Sequence, residues 1–440
     1  MTEVAEQYVV TFDGEGAGEA ELSWGQKENW ATIAATGSWL PLGGIKPLAP
    51  EASIEEVAEE LSYLMGRYQP LRTLVRLGPE GRPMQVVHGS GQISLEIVDA
   101  GDEDPAHVAE AVYERYGSTS LDFFAEWPLR MGVIRRHGQL THMAVLMSHF
   151  ATDAAGAAVM LTEVAVRGSE PVTGLQPLAQ AAWQQSPAGQ RQNAAALRYW
   201  EGIFRTIDPH RFNEQRGDQS PRYWHGEFTA PVLAPAIRAI AQGSGLGAST
   251  VSLALFAVAV EQVIGINPVV IRPIVSNRFR PGLAGVLCTV AQAGLCVLDV
   301  DGISFDEALR RAQQTVVRAY KYSYFDHEDM VALRSRIEAE RGVELDTRIF
   351  LNDRREPDGP SKEQSALALR EAVEAAAPSE FRWVLSQDSP SFESLFVHID
   401  DVPGAVRVSF HLDSRCVSLA EAEAVAHAME ALARAAVNRS

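Results

Sequence analysis

MSHFATDAAG, residues 147–156, is the stretch that decides how this chain is interpreted. Apolar residues alternate along the segment before it and predict a strand that ends just ahead of His149. The small residues from Ala154 onwards predict the start of a helix. A histidine at the end of a strand can project into a cleft, and an aspartate one turn later can orient its ring or lock its loop. An imidazole accepts a proton from an amine or a hydroxyl, as acyl transfer requires.

The composition bounds the class of protein. The chain has 440 residues, 46% of them apolar and 22% charged, which is typical of a globular protein with two lobes of roughly 200 residues. A net charge of −19 without a basic tail disfavours nucleic-acid binding. The longest apolar run, 251–260, is too short to span a bilayer and predicts a buried helix. The N-terminal residues lack the pattern of a signal peptide, so we expect a cytoplasmic protein with no membrane partner.

The three cysteines, at 288, 296 and 416, form no C-x-x-C pair. An odd number without such a pair argues against a disulfide framework and against a zinc site, so we expect no metal. Cys288 and Cys296 lie in an apolar strand region, and we expect both to be buried.

Helical and strand patterns alternate along the chain without a fixed repeat, which predicts an α/β fold. Serine and glutamate are spaced as capping boxes at three predicted helix starts: Ser53 with Glu56, Ser304 with Glu307 and Ser418 with Glu421. The pair His137-Gly138 indicates a hairpin. The predicted strands cover 93–98, 131–135, 140–147, 269–275, 295–300, 348–351, 395–399 and 405–410.

Two polar stretches interrupt this alternation. Residues 175–192, with prolines at 177 and 187, are predicted to be a helix-poor linker between two halves. Residues 353–379 are rich in Pro, Gly, Glu and Ala, and they predict either a mobile loop closing over a cleft or a solvated insertion.

A set of degenerate motifs follows a fixed order along the chain. The motifs are SWGQKENW at 23–30, RYQPLRT at 67–73, WPLR at 127–130, AWQ at 182–184 with YW at 199–200, SNR at 276–278, GVLCTV at 285–290 and YSYFD at 322–326. With residues 148–154, this ordered set resembles the condensation domain of nonribosomal peptide synthetases, in the superfamily of chloramphenicol acetyltransferase and carnitine acyltransferases. The first motif is similar to the family's SxAQxRLW, the second to its RHExLRT, and GVLCTV stands where IGxFVNT is expected.

The resemblance implies two chloramphenicol-acetyltransferase-like α/β lobes in a V-shaped pseudo-dimer with a central tunnel. The N-terminal lobe, residues 1–180, would carry the histidine motif, and residues 181–440 would form the C-terminal lobe. It also implies that substrates arrive as thioesters on the phosphopantetheine of acyl or peptidyl carrier proteins acting in trans. We therefore expect no bound cofactor.

The family's central motif HHxxxDG appears here as SHFATDA, residues 148–154. Its second histidine and its aspartate match. The resemblance therefore implies that His149 is the base or positioner for attack on the thioester, and that Asp153 pairs with Arg278 across the lobes to orient the loop.

Two positions depart from that motif. Ser148 replaces a buried imidazole that shapes the loop. Ala154 replaces a glycine, which restricts φ and adds a methyl group near the substrate, and Gly156 could restore some freedom. The aspartate of the heterocyclisation branch is also absent from position 148, which disfavours that reaction.

The resemblance suggests less direct roles for several other residues. Trp30 and Thr289 either line the tunnel or pack in the core. The helix predicted after Ser304 carries a basic stretch that either receives an acidic carrier domain or is an ordinary solvated face. That stretch comprises Arg310, Arg311, Arg318 and Lys321.

Three functions remain open. The first is a stand-alone condensation enzyme that forms an amide or an ester in natural-product or antibiotic biosynthesis, which an intact His149 favours. The second is a catalytically silent relative that recruits carrier domains or tailoring enzymes, which Ser148 and Ala154 favour. The third is an acyltransferase using free coenzyme A thioesters, which the motifs near residues 26, 70 and 278 disfavour. We find no carrier, adenylation or thioesterase motif, so action in trans is expected.

Overall fold

The computed structural model describes residues 4–166, 172, 174–209, 212, 220–355, 364–388 and 394–439, which fall into two compact units. The first unit comprises 1–194, 276–291 and 325–330, and the second comprises 195–275, 292–324 and 331–440. The first change of unit therefore comes after residue 194 rather than after residue 180. Residues 276–291 belong to the first unit because their backbone is hydrogen-bonded to the loop after His149.

The first unit is an α/β assembly. Its strands are β1 (Glu6–Asp13), β2 (Gly18–Glu21), β3 (Pro41–Pro47), β4 (Thr73–Leu77), β5 (Pro83–Val87), β6 (Ser90–Asp99), β7 (Leu129–Arg136) and β8 (Gln139–Ser148). Its helices are α1 (Trp24–Thr36), α2 (Ile54–Arg67), α3 (Pro105–Ser118), α4 (Ala154–Val166) and α5 (Pro177–Gln185). The main sheet has the order β1-β6-β7-β8-β3, and a smaller sheet has the order β2-β5-β4.

Strand β8 is the strand that positions the histidine motif. It pairs antiparallel with β7 on one side and with β3 on the other. Side chains alternate between the two faces of a strand. Met143 and Met147 accordingly pack in the same core as α2 residues, while Ala144 and Leu146 pack in the core of α3. Because both faces and both edges of β8 are covered, the position at which the chain leaves the sheet is fixed.

The residues predicted to be a helix-poor linker are helical, so that prediction was wrong. Helix α5 begins at Pro177, and α6 (Pro187–Phe204) begins at Pro187. Proline is favoured in the first turn of a helix because its fixed φ suits the helix and its missing N–H is not needed there. The two prolines therefore mark helix starts rather than a break.

The second unit is also α/β. Its strands are β9 (Tyr223–Ala230), β10 (Val269–Val275), β11 (Gln292–Ala293), β12 (Cys296–Leu298), β13 (Ile349–Asp353), β14 (Glu380–Gln387), β15 (Leu395–Val402) and β16 (Ala405–Asp413). Its helices are α7 (Leu233–Ser244), α8 (Ala248–Ile264), α9 (Phe305–Lys321), α10 (His327–Arg341, whose first residues belong to the first unit), α11 (Ala366–Glu374) and α12 (Leu419–Arg439). The sheet order is β11-β10-β13-β15-β16-β9-β14, with β12 also on β10.

Helix α8 confirms the predicted buried helix, since every residue of 251–260 is buried. Among the described residues, no single helix is long and apolar enough to cross a membrane; α7 and α8 meet the length and composition criteria only jointly, across a bend of 108°. Cys288 and Cys296 are buried as expected, and Cys416 is partly buried, each as a free thiol. Burial raises the pKa of the Cys288 and Cys296 thiols.

Each predicted strand is present, and the α/β class is confirmed. The predicted hairpin turn is also present, with positive φ at His137 and Gly138. Strands β1 to β5, β9, β11 and β14 were not predicted. The stretch 353–379 contains α11, with Leu369 and Val373 buried, so this part is not a loop; residues 356–363 lie outside the described part of the chain.

One row of paired positions crosses five strands of the second unit. From β10 to β9 it comprises Arg272, Phe350, Phe396, His411 and His225. The rings of His411 and His225 are stacked with centroids 4.2 Å apart. His398 lies beside the row, with its ring centroid 4.2 Å from that of Phe396 and 5.2 Å from that of His411.

Burial favours the uncharged form of the two histidines in this row and of His398 beside it. It lowers the pKa of His398 to about 3 and of His411 to about 4, and it lowers the pKa of His225 as well. The charged groups that act on them are Glu227 on β9, Arg354 after β13, Arg407 on β16 and Arg382 on β14. In the part of the chain that the structure describes, no group of three or more His, Cys, Asp or Glu residues could hold a metal ion.

Candidate active site

His149 is the first residue after β8, and its backbone is held from the side of β3. Its N–H donates to the carbonyl of Leu40 at 2.9 Å, and the N–H of Ser148 before it donates to the carbonyl of Pro128 at 3.0 Å. The chain therefore leaves the sheet with its direction fixed on both sides. The His149 residue is partly exposed.

The carbonyl oxygen of His149 accepts two side-chain hydrogen bonds. The amide Nδ2 of Asn29, on α1, donates to it at 2.5 Å, and the hydroxyl of Thr289 donates to the same oxygen. Asn29 Nδ2 and Thr289 Oγ1 are themselves 3.5 Å apart. The sequence did not single out Asn29, and the only signal available was its place inside the first motif, one residue before Trp30.

Burial lowers the pKa of His149 below its ordinary value of 6.5. The carboxylate of Asp153 and the carbonyl of Thr152 both raise that pKa, but by less than burial lowers it. The imidazole is therefore neutral near pH 7 and has a nitrogen lone pair that can accept a proton.

Asp153 and Arg278 form a buried ion pair. The two guanidinium nitrogens of Arg278 lie 2.7 and 2.9 Å from the carboxylate oxygens, and the Asp153 and Arg278 side chains are 6% and 12% exposed. Arg278 also donates to the carbonyl of Val286 at 2.9 Å. The pair lies within the first unit and not between two halves, because Arg278 belongs to the segment 276–291.

The carboxylate of Asp153 also accepts three backbone N–H groups. Those of Val290 and Ala291 each donate at 3.1 Å, and that of Gly156, in the first turn of α4, donates at 2.9 Å. Within the described ranges, the ring of His149 is not among its hydrogen-bond donors. Asp153 therefore fixes the loop that carries the histidine rather than holding the imidazole itself.

Ser148 fills its buried position with a fully paired hydroxyl. Its Oγ donates to the carbonyl of Trp39 at 2.7 Å and accepts from the N–H of Phe150 at 3.1 Å. Ala154 is the exposed first residue of α4, and its φ is not positive, so the position does not require glycine. Neither departure from the family motif strains this loop.

Gly156 is needed for close packing rather than for the backbone freedom that the sequence suggested. A Cβ at this buried helical position would lie 2.3 Å from the carbonyl oxygen of Leu287 and 2.4 Å from Oγ1 of Thr152. The glycine is therefore required by the close approach of the 286–291 segment, and not by backbone freedom. The hydroxyl of Thr152 donates to the same Leu287 carbonyl at 2.6 Å.

Trp30 belongs to an aromatic cluster next to this loop. Its ring makes edge-to-face contacts with Phe123, Phe124 and Phe150, at centroid distances of 5.8, 6.1 and 6.0 Å. Phe150 is fully buried directly after His149, so the cluster braces the turn. The tunnel-lining roles of Trp30 and Thr289 stay predictions.

Two of the four basic residues on α9 pair with one carboxylate of the same helix. Arg310 and Arg311 both pair with Glu307, with nitrogen–oxygen distances of 2.5 and 2.9 Å. Arg311 also lies 3.7 Å from a carboxylate oxygen of Asp299. For Arg310 and Arg311 this arrangement favours the solvated helix face, and the carrier-binding role of the whole stretch stays a prediction.

Comparison with known proteins decides the family. The family model described as "Condensation domain" matches residues 46–380. The chain belongs to the condensation-domain family. Over 348 residues it is 22% identical to cyclosporin synthetase of Tolypocladium inflatum. The aligned part is 72% of this chain and 2% of that protein, so this condensation-domain chain spans a small fraction of its curated relative.

Solved structures of condensation-like domains share the fold. The structure described for condensation domain-mediated chain release from the enacyloxin polyketide synthase superposes with a TM-score of 0.70 and 18% identity, covering 96% of this chain and 83% of that one. The X-domain in complex with OxyB from teicoplanin biosynthesis also gives a TM-score of 0.70, with 15% identity and coverage of 97% and 95%. The resemblance predicted from the motifs is thus confirmed for family and fold.

Proposed function

We propose that this condensation-family chain joins an acyl thioester to an amine or a hydroxyl, with His149 as base or positioner. The observation that carries the proposal is a partly buried histidine at the end of β8 whose backbone N–H and carbonyl are both hydrogen-bonded and whose pKa is lowered by burial. The buried pair of Asp153 and Arg278 holds the same loop. A neutral imidazole on a firmly held backbone is suited to accept a proton from an incoming nucleophile.

The proposed reaction balances with the groups named. The amine nitrogen attacks the carbonyl carbon of the thioester, the C–N bond forms and the C–S bond breaks. One proton leaves the amine, is accepted by His149 and is delivered to the departing thiolate. Because a thioester is already activated, orientation supplies a large part of the rate. The donor is proposed to be carried on the phosphopantetheine of a carrier protein acting in trans.

Recruitment is the second candidate function. It is favoured by Ser148, which stands where the family has a histidine, and by the likeness to an X-domain whose structure was described in complex with OxyB. Against it, the Ser148 hydroxyl is paired on both sides and His149 keeps its place at the end of β8. The third candidate function is an acyltransferase that uses free coenzyme A thioesters, and the test below includes these donors.

The test is product formation by the purified full chain. Carrier proteins loaded with short acyl groups, or the corresponding acyl-coenzyme A thioesters, are incubated with amines, and products are measured by mass spectrometry. We expect carrier-dependent product that His149→Ala abolishes without lowering the melting temperature. The matched control is His107→Ala, an exposed histidine on α3, which should keep the wild-type rate.

Three results would count against the proposal or part of it. A wild type that makes no product while binding a tailoring enzyme supports recruitment. A His149→Ala variant that keeps most of the wild-type rate removes the histidine from the reaction. Equal product from carrier and coenzyme A donors favours the third alternative.

A further inference from the structure

The peptide unit after His149 is held by side chains that the proposed reaction does not use. Its carbonyl oxygen accepts from Asn29 on α1 and from Thr289 on the segment 276–291. We propose that Asn29 is a positioning residue for His149, acting through this shared carbonyl oxygen. The inference rests on the proposed role of His149 and adds the group that sets its orientation.

The direction of the imidazole depends on the backbone that carries it. The N–H of His149 is fixed by the carbonyl of Leu40, so its φ is restrained from the strand side. The carbonyl that Asn29 and Thr289 hold restrains ψ on the other side. With both peptide planes fixed, only the side-chain torsions of the ring remain: χ1, which occupies a few staggered wells, and χ2, which is broad and roughly two-fold.

Helix α1 is built so that Asn29 reaches this oxygen. Ser23 and Gln26 form a capping box that fixes the start of the helix. Gly25 lies one turn before Asn29 on the same helix face, and a Cβ there would come within 2.3 Å of the Thr289 carbonyl oxygen. The bare glycine therefore lets α1 approach the segment carrying Thr289, and this approach places the Asn29 amide at its 2.5 Å distance.

Asn29 lies in the interior of helix α1, where asparagine is unfavourable. Asparagine is a poor helix former in the interior of a helix because its side chain competes for backbone hydrogen bonds. In the motif SxAQxRLW, to which residues 23–30 are similar, this position holds leucine, so the amide donor is a feature of this chain. It adds a second fixed point to a loop in which Ser148 replaces the family's first histidine.

The experiment compares variants that change only the donors. Asn29→Leu removes the amide at similar volume, Thr289→Val removes the hydroxyl, and Thr289→Ser restores it. Thr36→Val is the matched control, because this hydroxyl, on the same helix, donates to the carbonyl of Thr32. The full chain is labelled with ¹³C-histidine, and the ring signal of His149 is assigned by its loss in His149→Ala.

We expect Asn29→Leu and Thr289→Val to shift the ring signal of His149 relative to the wild type. We also expect both variants to move the titration midpoint of that ring upwards towards 6.5. A ring released from its fixed position is less desolvated, and burial is the main cause of its lowered pKa. In the condensation assay, kcat should fall about 10- to 100-fold with KM unchanged. Thr289→Ser, which keeps the hydroxyl, should recover most of what Thr289→Val loses, and Thr36→Val should match the wild type.

The two proposals fail separately. An unchanged His149 signal and titration in Asn29→Leu overturns the positioning role, whatever the activity of the protein. An equal shift in Thr36→Val also overturns it, because the effect would then be general to the helix. If these variants shift the His149 signal while the wild type makes no product, the positioning role is supported and only the condensation function is contradicted. If Asn29→Leu does not fold, Thr289→Val against Thr289→Ser decides the same question.

Discussion

Replacing Asp153 by alanine is expected to destabilise the first unit strongly. The carboxylate is 6% exposed and accepts from Arg278 and from three backbone N–H groups. Its removal leaves a guanidinium that is 12% exposed, whose other partners in the described residues are the carbonyls of Val286 and Cys288. Removing one partner of a buried ion pair costs about 3–5 kcal/mol, and we expect Asp153→Ala to fall in that range.

Replacing the partner, Arg278, should lower the free energy of unfolding by less than Asp153→Ala does. In Arg278→Met the carboxylate keeps the N–H groups of Gly156, Val290 and Ala291. Hydrogen bonds to a charged group each contribute roughly 1.5–3 kcal/mol, so the carboxylate remains better satisfied than the guanidinium would be. The double-mutant cycle between the two positions should give a coupling of about 1–3 kcal/mol.

The assay is urea unfolding of the full chain followed by circular dichroism. Because the chain has two units, two transitions are allowed for, and only one of them should move. Glu307→Ala, which breaks the surface pairs with Arg310 and Arg311 on α9, is the control and should change either midpoint little, because such pairs contribute little to stability. Additive effects in the cycle, or an Arg278→Met variant less stable than Asp153→Ala, would refute this reasoning.

Three further predictions concern other positions in the two units. Gly156→Ala should cost about 1–3 kcal/mol by overpacking, whereas Gly202→Ala, where nothing lies within 4 Å of the new Cβ, should be neutral or slightly stabilising in thermal unfolding. Because their folded-state pKa values lie below the unfolded value of about 6.5, His398 and His411 favour folding fully above pH 6.5 and progressively less as the pH falls towards 4. Replacing both by phenylalanine should therefore reduce the stability lost between pH 7 and 5 by about 1–2 kcal/mol per ring, and an unchanged pH profile would contradict this. Ser148→His should overpack a fully buried site, lower stability by about 1–3 kcal/mol and not raise the rate of product formation.

Strand β8 and helix α4, which flank the candidate site, could be predicted from the sequence because their signals are local. The alternating apolar residues of β8 and the small residues from Ala154 onwards are visible in a short window. The strands that were missed lack such a signal. Strand β3, with the sequence PLGGIKP, has proline at both ends and two central glycines, and it is ordered by pairing with β8 along its whole length. Tertiary pairing overrides weak intrinsic preference here.

The contacts that fix the candidate site were harder to predict because they join distant parts of the chain. Arg278 was found only through the motif resemblance, since no spacing rule relates it to Asp153, 125 residues earlier. Asn29 lies 120 residues before the carbonyl it binds and belongs to no charged or catalytic pattern. Gly156 was noticed for its backbone freedom, although the close approach of Leu287 is what requires it. Packing against another segment leaves no mark in a single sequence.

The two departures from HHxxxDG do not by themselves indicate a decayed site. A decayed loop would be expected to leave buried polar groups unpaired, because nothing would maintain their partners. Here the hydroxyl of Ser148 is bonded at both its donor and its acceptor side, and the carboxylate of Asp153 has four partners. The amide of Asn29 adds a contact at the carbonyl of the histidine. Among the described residues, Nε of Arg278 is buried without a partner, but the polar groups of the loop itself are satisfied around the histidine, which is why condensation is proposed ahead of recruitment.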